Sequence, residues 1–248
     1  AESMDAFIKK VNEAPDSLRQ QMVDEYNAGD MVTRMNRLLE RDGVQEAVNN
    51  TFYLKYFREL SVAMDSLGWS PVQRDMLMAT NFYERIDQSR QPLPKVLLDY
   101  ATETIGLESA KRVVTDLNDK YEAIGKQRIS ADNFRSPDDV KDLSEGGQIL
   151  RKILEPYKGK IVLLDIWGTW RGPCKEAISH SQEEFARLKP YDMVFLYLAN
   201  RSSEESWKNV IKEYKVTGEN VVHYNLPDAQ QKAIENHLGV RSFPTYKL

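Results

Sequence analysis

One short segment carries the residues of this chain whose chemistry stands out. The stretch WGTWRGPCKE, residues 167–176, holds two tryptophans, a Gly-Pro pair and Cys174, the single cysteine of the sequence. A redox dithiol would read W-C-G-P-C, but the position of its first cysteine is occupied by Arg171. Dithiol chemistry needs two sulfur atoms that can reach a bonding distance of ~2 Å. One chain therefore forms neither an internal disulfide nor a four-thiolate zinc site.

The chemistry open to Cys174 depends on its surroundings, and the residues allow two interpretations. A buried cysteine behaves as a small and inert apolar side chain. A cysteine near a helix N-terminus and beside Arg171 is a more reactive monothiol, because both positive fields lower the thiol pKa. Burial raises the same pKa, so the two interpretations differ in how deeply Cys174 lies.

The rest of the sequence contains no motif that predicts a cofactor or a metal site. His180, His223 and His237 do not cluster, and His180 lies six residues after Cys174, off the same helical face. Each histidine is interpreted as structural or exposed. The sequence has no phosphate-binding glycine loop, no dinucleotide fingerprint and no H-E-x-x-H zinc motif.

The segment lies among alternating strands and helices. Apolar, β-branched runs predict strands, and runs with helical spacing predict the helices between them. The predicted order is a helix over 149–157, a strand over 161–167, a helix over 173–188, a strand over 193–199, a helix with Ser202 and Glu205 as capping box, a strand over 221–226, a helix over 228–237 and a strand over 245–248. This alternation predicts a mostly parallel sheet covered on both faces.

The first half of the chain has a different pattern. Apolar residues recur every three or four positions as far as Gly125 and predict five or six helices, one of which starts at Ser70-Pro71. The polar stretch 128–147 is a predicted linker. We expect a helical domain over 1–143 and an α/β domain over 144–248.

Composition narrows the classes of partner. The net charge is -4, and lysines and arginines form no basic block, so nucleic acid is not expected as a partner. No run of residues approaches the ~20 apolar positions that a membrane-spanning helix needs.

The turn and its neighbours carry a family resemblance. The order GKIVLLDIWGTW, GPCKE and, later, GVRSFPTY resembles the thioredoxin family, in particular the exported TlpA/ResA-like branch of thiol–disulfide oxidoreductases. The resemblance covers about 145–248 and implies an α/β thioredoxin-like domain with a central mixed sheet, preceded by an all-α accessory domain. It also implies a periplasmic or cell-envelope location, with any membrane anchor outside this chain. A further strand and helix are expected beyond Leu248.

The resemblance assigns roles to residues at the turn. In the family the first cysteine is the nucleophile and the second, more buried one resolves the mixed disulfide. Arg171 therefore occupies the nucleophile's position and Cys174 the resolving position, which favours the buried, inert interpretation. Asp165 matches a buried acid that assists proton transfer, and the alternative is a carboxylate paired with a cation such as Arg171.

The family's cis-proline matches Pro244. There this turn faces the active turn and offers backbone groups to an extended peptide. The substrate-binding residues that the resemblance implies are Trp167, Trp170, Pro173, Phe243, Pro244 and Thr245.

Three functions follow as alternatives. The first is a redox-impaired envelope protein that binds peptides or acts as a scaffold. The second is a working oxidoreductase, through monothiol chemistry at Cys174 or as a variant of an active dithiol parent, with a protein thiol or disulfide as partner. In the third, the helical half carries the main function.

Overall fold

The computed structural model describes residues 43–248. Helices and strands follow one another in the order α1 (Val44–Ser66), α2 (Pro71–Ser89), α3 (Lys95–Thr104), α4 (Glu108–Lys126), α5 (Gly146–Leu154), β1 (Val162–Trp167), α6 (Gly172–Ser179), α7 (Ser181–Leu188), β2 (Val194–Ala199), α8 (Glu204–Glu213), β3 (Val221–Tyr224), α9 (Asp228–Leu238) and β4 (Thr245–Lys247). Helices thus precede an alternating α/β part, and the predicted fold class is confirmed.

The described residues form two compact units. The first contains residues 43–80 and 94–111, and the second contains 81–93 and 112–248. The predicted domain boundary between residues 143 and 144 lies within the second unit.

In the first unit, side chains hold the helix starts. Ser70 and Gln73 form a reciprocal capping box at α2: the Ser70 N–H donates to Gln73 Oε1 (3.0 Å), and the Gln73 N–H donates to Ser70 Oγ (3.3 Å). The helix start predicted at Ser70-Pro71 is confirmed. The buried carboxylate of Asp75 accepts hydrogen bonds from the N–H groups of Gly106 (2.8 Å) and Leu107 (2.7 Å), directly before α4.

The second unit is built on a four-stranded mixed sheet of order β3-β2-β1-β4. β2 pairs in parallel with β1 and β3, whereas β4 pairs antiparallel with β1. Buried side chains fill both faces of the sheet. α5 and α9 contribute to the cluster on one face, and α6 and α8 contribute to the cluster on the other.

The helix predicted over 173–188 is two helices in the structure. His180 leaves helical geometry (φ -95°, ψ 2°), so that it ends α6 and begins α7. Ser181 is thereby buried and hydrogen-bonds to the Tyr197 hydroxyl of β2. A tertiary contact interrupts the helical pattern at this position.

The capping box predicted at Ser202 and Glu205 is wrong by one residue. Ser203 is the N-cap of α8, and its Oγ accepts a hydrogen bond from the Ser206 N–H (3.3 Å). The Ser202 hydroxyl instead accepts from the N–H of Thr169, beside the cysteine turn (3.1 Å). Both serines are suitable caps, and the tertiary contact of Ser202 determines which one takes the role.

The segment predicted as a linker, 128–147, lies against the sheet. Phe134 forms a parallel bridge with His223 of β3. The Asn133 side-chain amide donates to the carbonyls of Gly218 (2.6 Å) and Val221 (2.7 Å). The prediction of a linker is wrong for this segment, because its backbone and the Asn133 amide occupy the open edge of β3.

A glycine permits close packing of α5 on α9. A Cβ atom at Gly146 would lie 2.1 Å from the Ala233 carbonyl oxygen, so a larger residue would push the two helices apart.

Between residues 43 and 248, no helix combines the length and apolar character needed to cross a lipid bilayer.

Candidate functional site

The cysteine turn connects the end of β1 to the start of α6. The Arg171 N–H donates to the Gly168 carbonyl (3.1 Å), which closes the turn. Arg171 is the N-cap of α6, and its own carbonyl accepts from the N–H of Cys174 (3.1 Å). Pro173 lies in the first helical turn and is exposed. Strand, turn and helix therefore present Arg171 outward and Cys174 inward.

Hydrogen bonds from the end of β2 hold this turn in place. The Asn200 N–H donates to the Trp167 carbonyl (2.7 Å), and the Asn200 carbonyl accepts from Trp170 Nε1 (3.2 Å). The Ser202 hydroxyl accepts from both the N–H and the hydroxyl of Thr169 (3.1 Å each). Sequence reasoning missed Asn200 and Ser202. The available signal was their position after β2, since adjacent parallel strands end at the same edge of a sheet.

Gly168 is required by the close approach of the Trp170 ring. A Cβ atom at position 168 would lie 2.6 Å from Trp170 Nε1, so any larger residue would force the Trp170 ring to move. The small residue therefore lets Trp170 fold back over the turn.

Cys174 is fully buried, as the family resemblance implies. Burial raises the pKa of the thiol to about 11, and the nearby Asp165 adds to this shift. A hydrogen bond from the Gly168 backbone and the charge of Arg171 lower the pKa by less than burial raises it. The thiol is therefore protonated at neutral pH, without the activation that its place in the turn would suggest.

Asp165 lies beneath the turn in β1, with 6% of its surface exposed. Burial, followed by the charge of Glu184, raises the pKa of this carboxyl to about 8. Its Oδ1 atom is buried without a hydrogen-bond partner among the described residues. Asp165 forms no ion pair with any residue of 43–248, so the alternative in which it pairs with Arg171 is wrong.

An aromatic surface covers the outside of the turn. The guanidinium carbon of Arg171 lies 5.1 Å from the centroid of the Trp170 ring, in cation–π geometry. Trp170 is 46% exposed, and its ring meets the Phe243 ring edge to face, with centroids 5.8 Å apart. The Phe243–Pro244 peptide bond is cis, and Thr245 follows as the first residue of β4.

The other predicted site tryptophan has a different place. Trp167 is fully buried in the cluster that contains Cys174, and its Nε1 has no hydrogen-bond partner among the described residues. Trp167 therefore supports the turn from below and presents no surface to a partner.

The histidines lie apart from the turn, and no metal site joins them. His223 is fully buried, its Nε2 lies 2.7 Å from the Val216 carbonyl, and burial lowers its pKa to about 4. His180 is exposed, with Nε2 3.4 Å from a carboxylate oxygen of Glu176. Over residues 43–248, no group of three or more His, Cys, Asp or Glu side chains is arranged to hold a metal ion.

Comparison with known proteins agrees with this geometry. Residues 159–246 match the family model described as Thioredoxin-like. This part of the chain is a thioredoxin-like domain, and the predicted relationship to the TlpA/ResA-like branch is confirmed.

Individual relatives share the same region. Over 61 residues the chain is 31% identical to the thiol-disulfide oxidoreductase ResA of Bacillus thuringiensis subsp. konkukian, and 33% identical to ResA of one strain of Bacillus cereus. Each alignment covers 25% of this chain and 35% of the relative, so the chain spans about a third of these curated relatives. A solved thioredoxin domain of a thiol-disulfide oxidoreductase from Bacteroides vulgatus is 25% identical, with a TM-score of 0.33 over 38% of this chain and 64% of that one.

Proposed function

We propose that this chain is a thioredoxin-fold protein of the cell envelope that lacks dithiol exchange and binds extended peptides, either as a binding protein or as a scaffold. One observation carries the proposal. A guanidinium stands at the N-cap of α6, where the related enzymes would have their attacking sulfur, and Cys174 is buried one helical turn further on.

The chain lacks one of the two thiols that dithiol exchange needs. To reduce a substrate disulfide, one enzyme thiolate attacks it, releases the first substrate thiol and forms a mixed disulfide. A second enzyme thiol then attacks the mixed disulfide, which releases the second substrate thiol and leaves a disulfide on the enzyme. Arg171 contributes no sulfur, so a mixed disulfide formed by Cys174 could not be resolved within the chain.

Monothiol chemistry at Cys174 is also unsupported. A thiol whose pKa is about 11 is a thiolate in roughly one molecule in ten thousand at pH 7. Its sulfur is also enclosed, so an incoming disulfide would have to displace the turn to reach it.

A peptide-binding role is supported by the surface around the turn. Trp170 and Phe243 offer apolar area that needs no sulfur chemistry. A location in the cell envelope is proposed from the resemblance to the exported branch.

Insulin reduction tests the loss of exchange. We expect the unaltered protein to give no turnover with a dithiol reductant, and Arg171→Cys to gain activity, because a thiolate at position 171 is stabilised by the helix N-terminus. Arg171→Ser is the matched control, since it removes the guanidinium without adding a sulfur, and it should remain inactive.

Two results would contradict the proposal. Turnover by the unaltered protein would show that exchange persists. An Arg171→Cys variant that forms the 171–174 disulfide, as measured by mass, yet stays inactive would show that the family's roles do not apply to these positions.

A further inference from the structure

Arg171 is an exposed cation without an acidic partner in the described part of the chain. No carboxylate oxygen of residues 43–248 lies within ion-pairing distance of it, and its guanidinium lies over the face of the Trp170 ring. A guanidinium has five N–H donors, and those of Arg171 form no hydrogen bond within 43–248. They are therefore free to bind a ligand.

The acidic residues around the turn are engaged elsewhere. Glu176, on α6, contacts His180, and Glu235 accepts hydrogen bonds from Asn200 (2.7 Å) and Gln231 (2.9 Å). Asp165 is buried in the sheet. None of these carboxylates pairs with Arg171.

Beside this cation the chain offers groups that suit an extended backbone. Within 43–248, the N–H and C=O of Phe243 form no hydrogen bond. The Phe243 ring meets that of Trp170, whose face carries the guanidinium. The Phe243 ring, the Trp170 ring and the cation thus follow one another in contact.

We propose that the surface formed by Trp170, Arg171 and Phe243 selects extended peptides that carry a glutamate or aspartate side chain opposite Arg171. The inference rests on the proposed peptide-binding function and specifies its ligand. Arginine forms paired hydrogen bonds to a planar carboxylate, and stacking on Trp170 limits the orientations of the guanidinium before a ligand arrives.

Three pools of fluorescein-labelled octapeptides test the preference. The pools share flanking positions mixed from Ala, Ser, Thr and Val and differ only in one fixed central residue: Glu, Gln or Lys. Fluorescence anisotropy with the full chain should show the Glu pool binding about three- to fivefold more tightly than the Gln pool, the size expected of an exposed ion pair. The Lys pool should bind more weakly than the Gln pool.

Two variants locate the effect. Arg171→Gln should bind the Glu and Gln pools equally, whereas Arg151→Gln, with the same change of charge on α5, should keep the preference. High salt should reduce the preference in the unaltered protein, since the Debye screening length falls from about 10 Å at 0.1 M to about 3 Å at 1 M ionic strength. Matching far-UV circular dichroism melts show that each variant is folded.

The outcomes separate the two proposals. Measurable and equal binding of the Glu and Gln pools by the unaltered protein would overturn the acidic preference and leave peptide binding in place. A preference retained in Arg171→Gln would also overturn it. Absence of binding for all three pools at millimolar peptide would overturn both the preference and the proposed peptide-binding role.

Discussion

At the scale of the residue, the turn lacks the thiolate that a redox site needs. A helix N-terminus stabilises anions, yet the N-cap residue is the cation Arg171. The one thiol is kept neutral by burial, and the carboxyl of Asp165 is kept largely neutral for the same reason. The site therefore differs from a redox centre at the sulfur, because position 171 has none and Cys174 stays protonated.

Asp165 should make stability depend on pH. Burial raises its pKa from the ordinary 3.8 to about 8, so the folded state holds a proton that the unfolded state releases. The stabilisation is complete below pH 4 and is lost as the pH rises through 8, with a total on the order of 5 kcal/mol.

Asp165→Asn should remove this dependence. Its free energy of unfolding, measured by urea denaturation, should be close to that of the unaltered protein at pH 4 and several kcal/mol higher at pH 9. Parallel pH profiles for the two proteins would show that Asp165 is not protonated in the folded state.

At the scale of the element, the loop after β2 serves the helix that follows it and the turn beside it. Ser203 caps α8 and also accepts a hydrogen bond from the Gln91 side chain (3.0 Å). Ser202 binds Thr169 of the cysteine turn. Two adjacent serines of similar propensity thus have separate tasks.

Substitutions at Ser203 and Glu205 test which residues cap α8. Ser203→Ala should lower the free energy of unfolding by about 1 kcal/mol, because an N–H at the start of α8 loses its acceptor. Glu205→Ala should change it by less than about 0.5 kcal/mol, since exposed positions contribute little. Thermal or urea denaturation distinguishes the two variants, and a larger effect of Glu205→Ala than of Ser203→Ala would restore the capping box predicted from the sequence.

At the scale of the whole molecule, residues far apart in the chain build the second unit. The Arg90 guanidinium hydrogen-bonds to the Tyr121 hydroxyl and pairs with Glu213 of α8 (3.3 Å). The Asn209 side chain donates to the Arg90 carbonyl (2.8 Å), and Lys175, directly after Cys174, donates to the Asp87 carbonyl (3.1 Å). Residues 81–93 and 112–126 are therefore integral to the unit that holds the turn.

The ion pair at the centre of this network should be sensitive to truncation. Arg90 and Glu213 side chains are 11% and 10% exposed, and Arg90 also pairs with Asp87 (3.3 Å). Glu213→Ala removes the more buried of these two carboxylates and should cost about 3 kcal/mol of unfolding free energy.

Lys120 provides the matched control. It contacts Glu213 at 2.6 Å from a side chain that is 47% exposed, so Lys120→Ala should cost less than about 1 kcal/mol in the same urea titration. Equal losses for the two variants would contradict a central role for the buried pair.

Local sequence pattern by itself determined the strand–helix order of 145–248, the start of α2 at Ser70 and the lack of a second sulfur beside Cys174. These follow from periodicity, caps and residue identity, which act over a few neighbouring positions. Tertiary structure alone decided that α6 and α7 separate at His180, that Ser203 rather than Ser202 caps α8, and that 128–147 lies against β3. Tertiary structure also left Arg171 without an acidic partner among the described residues. Burial and pairing depend on which distant segments of the chain come into contact, and local sequence patterns do not predict those contacts.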